Sequence, residues 1–164
     1  MMVATLKPQI RPMTSADKPA VMRILEATPQ FNPAEVTVAE ELLDSYLNAL
    51  ELGYNIFVAE VNSSVVGYIC YGPTPMTQGT WDMYWLAIAP EKQGQGFGGT
   101  LLTFAENKIK EDQGRLAIIE TSSKPEYERT RRFHYSHGYD LVCRIPDFYA
   151  PGDDKLIFQK RLSQ

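Results

Sequence analysis

The sequence predicts an α/β protein of the α+β kind, with a mixed, mostly antiparallel twisted sheet, helices on both faces, and one domain over residues 1–164. Three observations predict it. Hydrophobic periodicity switches repeatedly between two and 3.6 residues, with no internal repeat. Meandering strands come first and strand–helix–strand units follow, the order of a mixed sheet. The length of 164 residues suits one domain of roughly 150 residues.

The elements follow in order. Gln9 to Met13 reads as a strand, and Thr14-Ser15-Ala16-Asp17 matches a capping box, with Pro19 tolerated in the first helical turn. Val21, Ile24 and Leu25 form the apolar side of that helix. A second helix starts at Pro33, with Val38, Leu42, Tyr46 and Leu50 on one face, Leu43 and Leu47 beside them, and Gly53 as its stop. Ile56 to Val61 and Val65 to Tyr71 flank Asn62-Ser63-Ser64 as a hairpin. Trp81 to Ala89 suits a central strand, and Pro90 ends it. The cluster Gly94 to Gly99 opens a helix through Leu101, Leu102, Ala105 and Ile109, closed near Gly114. Leu116 to Glu120 is a strand, Pro125 to His137 a helix stopped by Gly138. Tyr139 to Ile145 and Lys155 to Leu162 are strands around a loop, Asp147 to Asp154.

Composition sets limits on function. Sixteen basic and twenty acidic residues give a net charge of −4, and the pI is about 5.2. A chain that neutralises a phosphate backbone carries a basic face and a high pI, so no nucleic-acid partner is expected. The short cluster Arg129 to Arg132 reads as a solvated helix face or as a contact to a ligand phosphate. Cys70 and Cys143 form no Cys-x-x-Cys pair, so they read as buried reduced thiols and no metal is expected. Met1 to Pro12 has no apolar core of a signal peptide. No stretch reaches the roughly 18 apolar residues of a membrane span. The expectation is a cytoplasmic protein with no membrane partner.

The informative segment is Ala87-Ile88-Ala89-Pro90-Glu91-Lys92-Gln93-Gly94-Gln95-Gly96-Phe97-Gly98-Gly99-Thr100-Leu101-Leu102. Glycines let backbone approach a ligand closely and take positive φ without steric cost. Free amides at a helix start, aided by the helix dipole, form an anion site suited to a pyrophosphate. Gly94-x-Gly96-x-x-Gly99 formally fits the dinucleotide-binding pattern, but that fold places its glycines directly after a strand within a parallel unit. Here Pro90-Glu91-Lys92 intervenes and antiparallel hairpins precede. No Gly-Lys-Ser/Thr follows, which excludes a P-loop.

Gln93-x-x-Gly96-x-Gly98, in this order of elements, resembles the Gln/Arg-x-x-Gly-x-Gly/Ala signature of the GNAT superfamily of N-acetyltransferases. The resemblance covers Gln9 to Leu162. It implies that amides of Gln93, Gly94, Gln95, Gly96, Phe97, Gly98 and Gly99 cradle the pyrophosphate of acetyl-CoA, the cosubstrate. It implies a strand ending in Leu86-Ala87-Ile88 that splays from Leu116 to Glu120, its backbone holding pantetheine and thioester. Tyr127 replaces an asparagine common in the following helix and still reaches the pantetheine arm in this reading.

Amine acetylation needs a proton removed from the ammonium, an oxyanion stabilised and a thiolate protonated. No covalent nucleophile is required when amine and thioester are held in attack geometry. Either Asp82, where histone-type members of the superfamily place a glutamate, or Glu120, at the end of the adjacent strand, is the base. A main-chain amide near Ile88 meets the oxyanion. Relatives carry an acid tyrosine in Phe-Tyr-x-x-x-Gly-Phe. Here Phe133-His134-Tyr135-Ser136-His137-Gly138-Tyr139 puts His134 in that place, with Tyr135 beside it. His137 reads as a cation at a helix C-terminus. The loop from Ile145 to Asp154, with Phe148 and Tyr149, and Tyr84 on the earlier strand are expected to line a site for a small cationic amine. Trp81 and Trp85 read as core or cofactor wall. The function expected is transfer from acetyl-CoA to a primary amine of a small molecule or amino acid. The alternatives are a non-catalytic acyl-CoA-binding module and a protein N-terminal or lysine acetyltransferase. An exposed sheet edge would favour a homodimer.

Overall fold

The computed structural model describes residues 7–49 and 53–162. Its elements are β1 (Gln9–Pro12), α1 (Lys18–Ala27), α2 (Pro33–Asn48), β2 (Asn55–Val61), β3 (Ser64–Pro73), β4 (Thr80–Ile88), α3 (Phe97–Glu111), β5 (Leu116–Ser122), α4 (Glu128–Ser136), β6 (Asp140–Ala150) and β7 (Asp153–Arg161). The strands form a seven-stranded sheet in the order β1-β2-β3-β4-β5-β7-β6. Pairing is antiparallel for β1 with β2, β5 with β7 and β6 with β7, and parallel for β4 with β5. This is the mixed, mostly antiparallel sheet with helices that the periodicity predicts. The chain clusters into two compact units, Met1–Cys70 with Trp85–Phe104, and Tyr71–Tyr84 with Ala105–Gln164.

In the first unit, the Asp17 carboxylate accepts the Thr14 amide at 2.8 Å and so caps the start of the helical segment. Arg11 forks onto the same carboxylate at 2.7 and 2.9 Å and reaches Glu60 at 2.8 Å, tying β1 to the helix start and to β2. The Arg11 hydrogen bonds hold Asp17 down at about 2. The core joins Val21, Ile24 and Leu25 of α1 to Ala39 and Leu43 of α2, Ile56 and Val58 of β2, and Tyr68 and Cys70 of β3. On α2 the buried stripe is Ala39 and Leu43, flanked by partly buried Val36, Tyr46 and Leu47. Val38 is exposed. The expected face was therefore misplaced by one residue, about 100° of rotation. Ala39 is small and gave the periodicity little weight, yet it is what lets α2 approach the core. Leu50 lies outside the described residues. The helix ends at Asn48, and Gly53 sits beyond it with φ of +83°. Asn62 and Ser63 take φ of +50° and +64°, the left-handed pair of a two-residue hairpin between β2 and β3.

In the second unit, Trp81 and Met83 of β4, Ala105 and Ile109 of α3, Ala117 and Ile119 of β5, Tyr139, and Leu156 and Phe158 of β7 are buried. Glu106 is buried with them and is satisfied by the Tyr139 hydroxyl at 2.8 Å and Lys160 Nζ at 3.0 Å. Trp81 lies against Tyr71, and in the first unit Trp85 takes the edge of Phe31. Both tryptophans are packing residues. A single turn of 3-10 helix, Pro125–Tyr127, precedes α4 within the expected helix, and Gly138, with φ of +88°, ends it.

Two expectations fail in this unit. The loop from Asp147 to Asp154 is instead mostly strand, with β6 running to Ala150 and β7 starting at Asp153. Asp154 accepts the Asp147 amide at 2.8 Å, Asp147 accepts the Gly152 amide at 2.7 Å, and Arg144 pairs with Asp154. These side-chain bonds carry the hairpin past Pro146. Cys143 is exposed, not buried, because β6 is the sheet's outermost strand. Cys70 is buried, and burial pushes its thiol up to about 12. Among the described residues, no helix is long and apolar enough to cross a membrane.

Candidate active site

In the first unit, β4 ends at Ile88, a 3-10 turn spans Pro90–Lys92, and α3 begins at Phe97. Between them Gly94 and Gly96 take φ of +78° and +87°, a conformation that favours glycine. A Cβ built on Gly96 would meet nothing within 4 Å, so open space lies beyond the turn. The turn is fixed from both sides. The Ala89 amide donates to the Val66 carbonyl at 2.8 Å, and the Gln93 side chain donates to the Ile88 carbonyl at 3.2 Å. The Gln93 side chain therefore buttresses the end of β4 through the carbonyl of Ile88. Backbone amides at the start of a helix bind anions, and the left-handed glycines with open space beyond Gly96 leave room there for a diphosphate. This is the fit expected of the pyrophosphate of acetyl-CoA.

Sequence reading missed Gly67 on β3. A Cβ there would lie 2.4 Å from Ile88 Cδ1 and 2.9 Å from the Ala87 carbonyl oxygen. The lack of a side chain lets β4 close on β3 where Ala87 and Ile88 run. Gly67→Ala is expected to cost about 1–3 kcal/mol by overpacking and to weaken acetyl-CoA binding by displacing Ile88. Thermal melts and calorimetry check both, and an unchanged melt would refute the packing argument.

In the second unit, β4 and β5 are in parallel register from Thr80↔Leu116 to Met83↔Ile119. Asp82 is opposite Ile118, and side chains two apart on a strand share a face. Asp82, Tyr84, Ile118 and Glu120 therefore share the less buried face, while Trp81, Met83, Ala117 and Ile119 point into the core. Asp82 Oδ2 accepts the Thr74 hydroxyl at 2.7 Å, and the Tyr84 hydroxyl at a long 3.5 Å. Glu120 Oε2 is 2.9 Å from Lys155 Nζ, and that ammonium sits 4.4 Å from the centre of the Phe148 ring. Phe148 meets Tyr149 edge to face at 5.0 Å. Glu120 and Phe148 thus meet at Lys155, with Tyr149 against Phe148, and little in the sequence pattern singles out that lysine. An alternating strand, with Lys155 two residues before Ile157, the partner of Glu120, is the only local signal.

On α4 the two acid candidates differ sharply. Tyr135 is exposed, its ring edge against Phe158 at 5.2 Å. His134 is 6% exposed, packed near the rings of Phe158 and Tyr139, and its Nδ1 has no hydrogen-bond partner. Burial, with a smaller contribution from nearby His137, pushes its pKa down to about 4. His134 is therefore neutral at pH 7. The sign of the linkage follows. Between pH 6.5 and 4 the unfolded chain binds a proton that the folded chain refuses. Stability from this site is therefore full above about pH 6.5 and is lost as pH falls to about 4, by roughly 3 kcal/mol. Denaturant titrations should show His134→Phe losing less stability than wild type between pH 7 and pH 4.5. Equal losses would contradict the assignment.

Three neighbouring side chains make local contacts. Arg131 donates to the carbonyls of Ser122 and Lys124 at 2.9 and 2.8 Å, closing the β5–α4 connection. Arg132 lies 3.7 Å from Glu128 on the helix surface. His137 Nδ1 lies 2.8 Å from the Phe133 carbonyl, at the end of α4.

Comparisons with known proteins bear on the family and the fold. Residues 53–141 match the acetyltransferase (GNAT) domain model. An uncharacterized N-acetyltransferase of Methanocaldococcus jannaschii is 30% identical over 143 residues, covering 80% of this chain and 89% of that protein. A crystal structure assigned to the GNAT family of acetyltransferases, from Desulfovibrio desulfuricans, is 37% identical. Its TM-score is 0.92, covering 96% of this chain and all of that one. The fold is also that of the paiA N-acetyltransferase of Thermoplasma acidophilum, solved with coenzyme A. That match has a TM-score of 0.74 at 16% identity, over 95% of this chain and 99% of that one. The chain belongs to the GNAT acetyltransferase family and is an acetyl-CoA-dependent acyltransferase.

Proposed function

We propose that the chain acts as one catalytic domain that transfers acetyl from acetyl-CoA to a primary amine of a small molecule or amino acid, by direct attack in a ternary complex. The observation that carries this reading is the glycine turn. Its left-handed Gly94 and Gly96 face open space at the start of α3. Acetyl-CoA supplies an activated acetyl thioester when bound.

The amides of Gln93 to Gly99 bind the diphosphate. Backbone of Leu86, Ala87 and Ile88, with the Tyr127 side chain, positions the pantetheine arm. Glu120 takes the proton from the acceptor ammonium. It is the more exposed of the two carboxylates and already accommodates one ammonium, that of Lys155. Asp82, its oxygen held by the Thr74 hydroxyl, positions the acceptor. The freed amine nitrogen bonds to the acetyl carbon, an amide near Ile88 donates to the oxyanion, and the carbon–sulfur bond breaks. The thiolate is protonated from the α4 side, where Tyr135 offers an exposed hydroxyl; His134, neutral at pH 7, can donate a hydrogen bond there but not the proton. Phe148, Tyr149 and Tyr84 line the acceptor side. A cytoplasmic location and a homodimer complete the proposal.

The test is thiol release from acetyl-CoA with a panel of small amines, amino acids and peptides. Release with a free small amine is expected. Release with peptides alone would make the chain a protein acetyltransferase, and binding with no release would make it a binding module.

A further inference from the structure

Lys155, in the second unit, holds its amine where an acceptor amine is required. Its Nζ lies 2.9 Å from Glu120 Oε2 and 4.4 Å from the centre of the Phe148 ring. A carboxylate and an aromatic face are the groups that receive a cationic amine, and here they already hold one. Strand pairing explains the placement. Glu120 is opposite Ile157, and Lys155, two residues before Ile157 on β7, shares its face. Lys160, five residues on, points to the other face and is held by buried Glu106 at 3.0 Å.

An ammonium is not a nucleophile, and it becomes one by losing a proton to a base within hydrogen-bond reach. Any amine that Glu120 serves must stand beside that carboxylate, and the acetyl carbon must reach it there. Lys155 meets the first condition in the absence of any ligand, and the role of Glu120 as base supplies the second. An ion pair with one half-exposed partner contributes little to stability, so the contact places the nitrogen without locking it. The Lys155 side chain is 15% exposed, against 44% for Lys108 and 52% for Lys124. Acylation from bulk solvent would therefore favour the other two.

We infer that Lys155 is a self-acetylation site, modified by the enzyme's own acetyl transfer when acetyl-CoA is bound and no acceptor is present. The inference rests on the assignment of Glu120 as the base. Glu120 takes one proton from Nζ, and the nitrogen lone pair bonds to the acetyl carbon. The carbon–sulfur bond breaks and the thiolate takes up a proton. The products are Nε-acetyl-Lys155, which no longer carries a charge for Glu120 and Phe148, and free coenzyme A.

The test incubates the full chain with saturating acetyl-CoA and no amine, followed by intact mass and peptide mapping. One acetyl group per chain is expected, at Lys155 ahead of Lys108 and Lys124, at a rate per chain unchanged by dilution of the protein. Glu120→Gln should slow the modification at least about a hundredfold, and Lys155→Arg, which keeps the charge, should remove it. Acetylation spread over exposed lysines and indifferent to Glu120→Gln overturns the inference. So does a rate proportional to protein concentration, which would make a second copy the acceptor. Thiol release with the amine panel separates the two assignments. Release that depends on Glu120 while Lys155 stays unmodified overturns the inference alone. With neither release nor modification, the assignment of Glu120 falls with it.

Discussion

Glu120→Gln is expected to lower kcat by about 10²–10⁴-fold, the usual contribution of a general base, with acetyl-CoA affinity unchanged. The amide keeps the shape of the side chain and can still accept from Lys155 Nζ, 2.9 Å away in the native protein. It cannot take the ammonium proton. Asp82→Asn should cost less than about tenfold in kcat and appear mainly in KM for the acceptor, because Asp82 orients rather than accepts the proton. Steady-state kinetics of both variants across pH on one acceptor separate the roles. A large kcat loss in Asp82→Asn with Glu120→Gln near wild type would exchange them. Near-wild-type kcat in both would mean that the amine binds already neutral.

Gly96→Glu should weaken acetyl-CoA by at least about a hundredfold while the protein stays folded. A side chain at φ of +87° costs about 1–2 kcal/mol, which a domain of ordinary stability tolerates. Apart from Gly96 and its two chain neighbours, no atom of the described residues lies within 4 Å of the added Cβ, so the carboxylate projects into the open space assigned to the diphosphate and repels it. Gly96→Ala, with the same backbone penalty and no charge, should lose far less affinity. Calorimetry on the two variants separates ligand exclusion from backbone strain. Equal losses would attribute the effect to strain alone.

Local signals were legible and distant ones were not. The glycine turn announces itself because the glycines that form it, and the Gln93 that buttresses it, lie within a dozen positions, from Ile88 to Gly99. The hairpin at Asn62 and Ser63 and the capping by Asp17 are similarly local. His134 shows the opposite case. Its place in the motif is readable, but its neutrality arises from burial, to which Phe158 of the distant strand β7 contributes. Lys155 carries no local signal because its partner Glu120 is 35 residues away, and the segment from Asp147 to Asp154 reads as a loop because Pro146 and Gly152 outweigh the acid-to-amide bonds that no pattern announces. Gly67 was missed for the same reason: its value lies in the approach of Ala87 and Ile88 from another strand.

The central claim is that the amides between Gln93 and Gly99 hold the diphosphate of the cosubstrate. The most direct measurement is an assigned amide correlation spectrum of the ¹⁵N-labelled protein, titrated with acetyl-CoA. The account predicts that the amides of Gly94, Gly96, Gly98 and Gly99 show the largest shifts and saturate with the same midpoint as calorimetric binding. Saturable binding with those four resonances unmoved would contradict it.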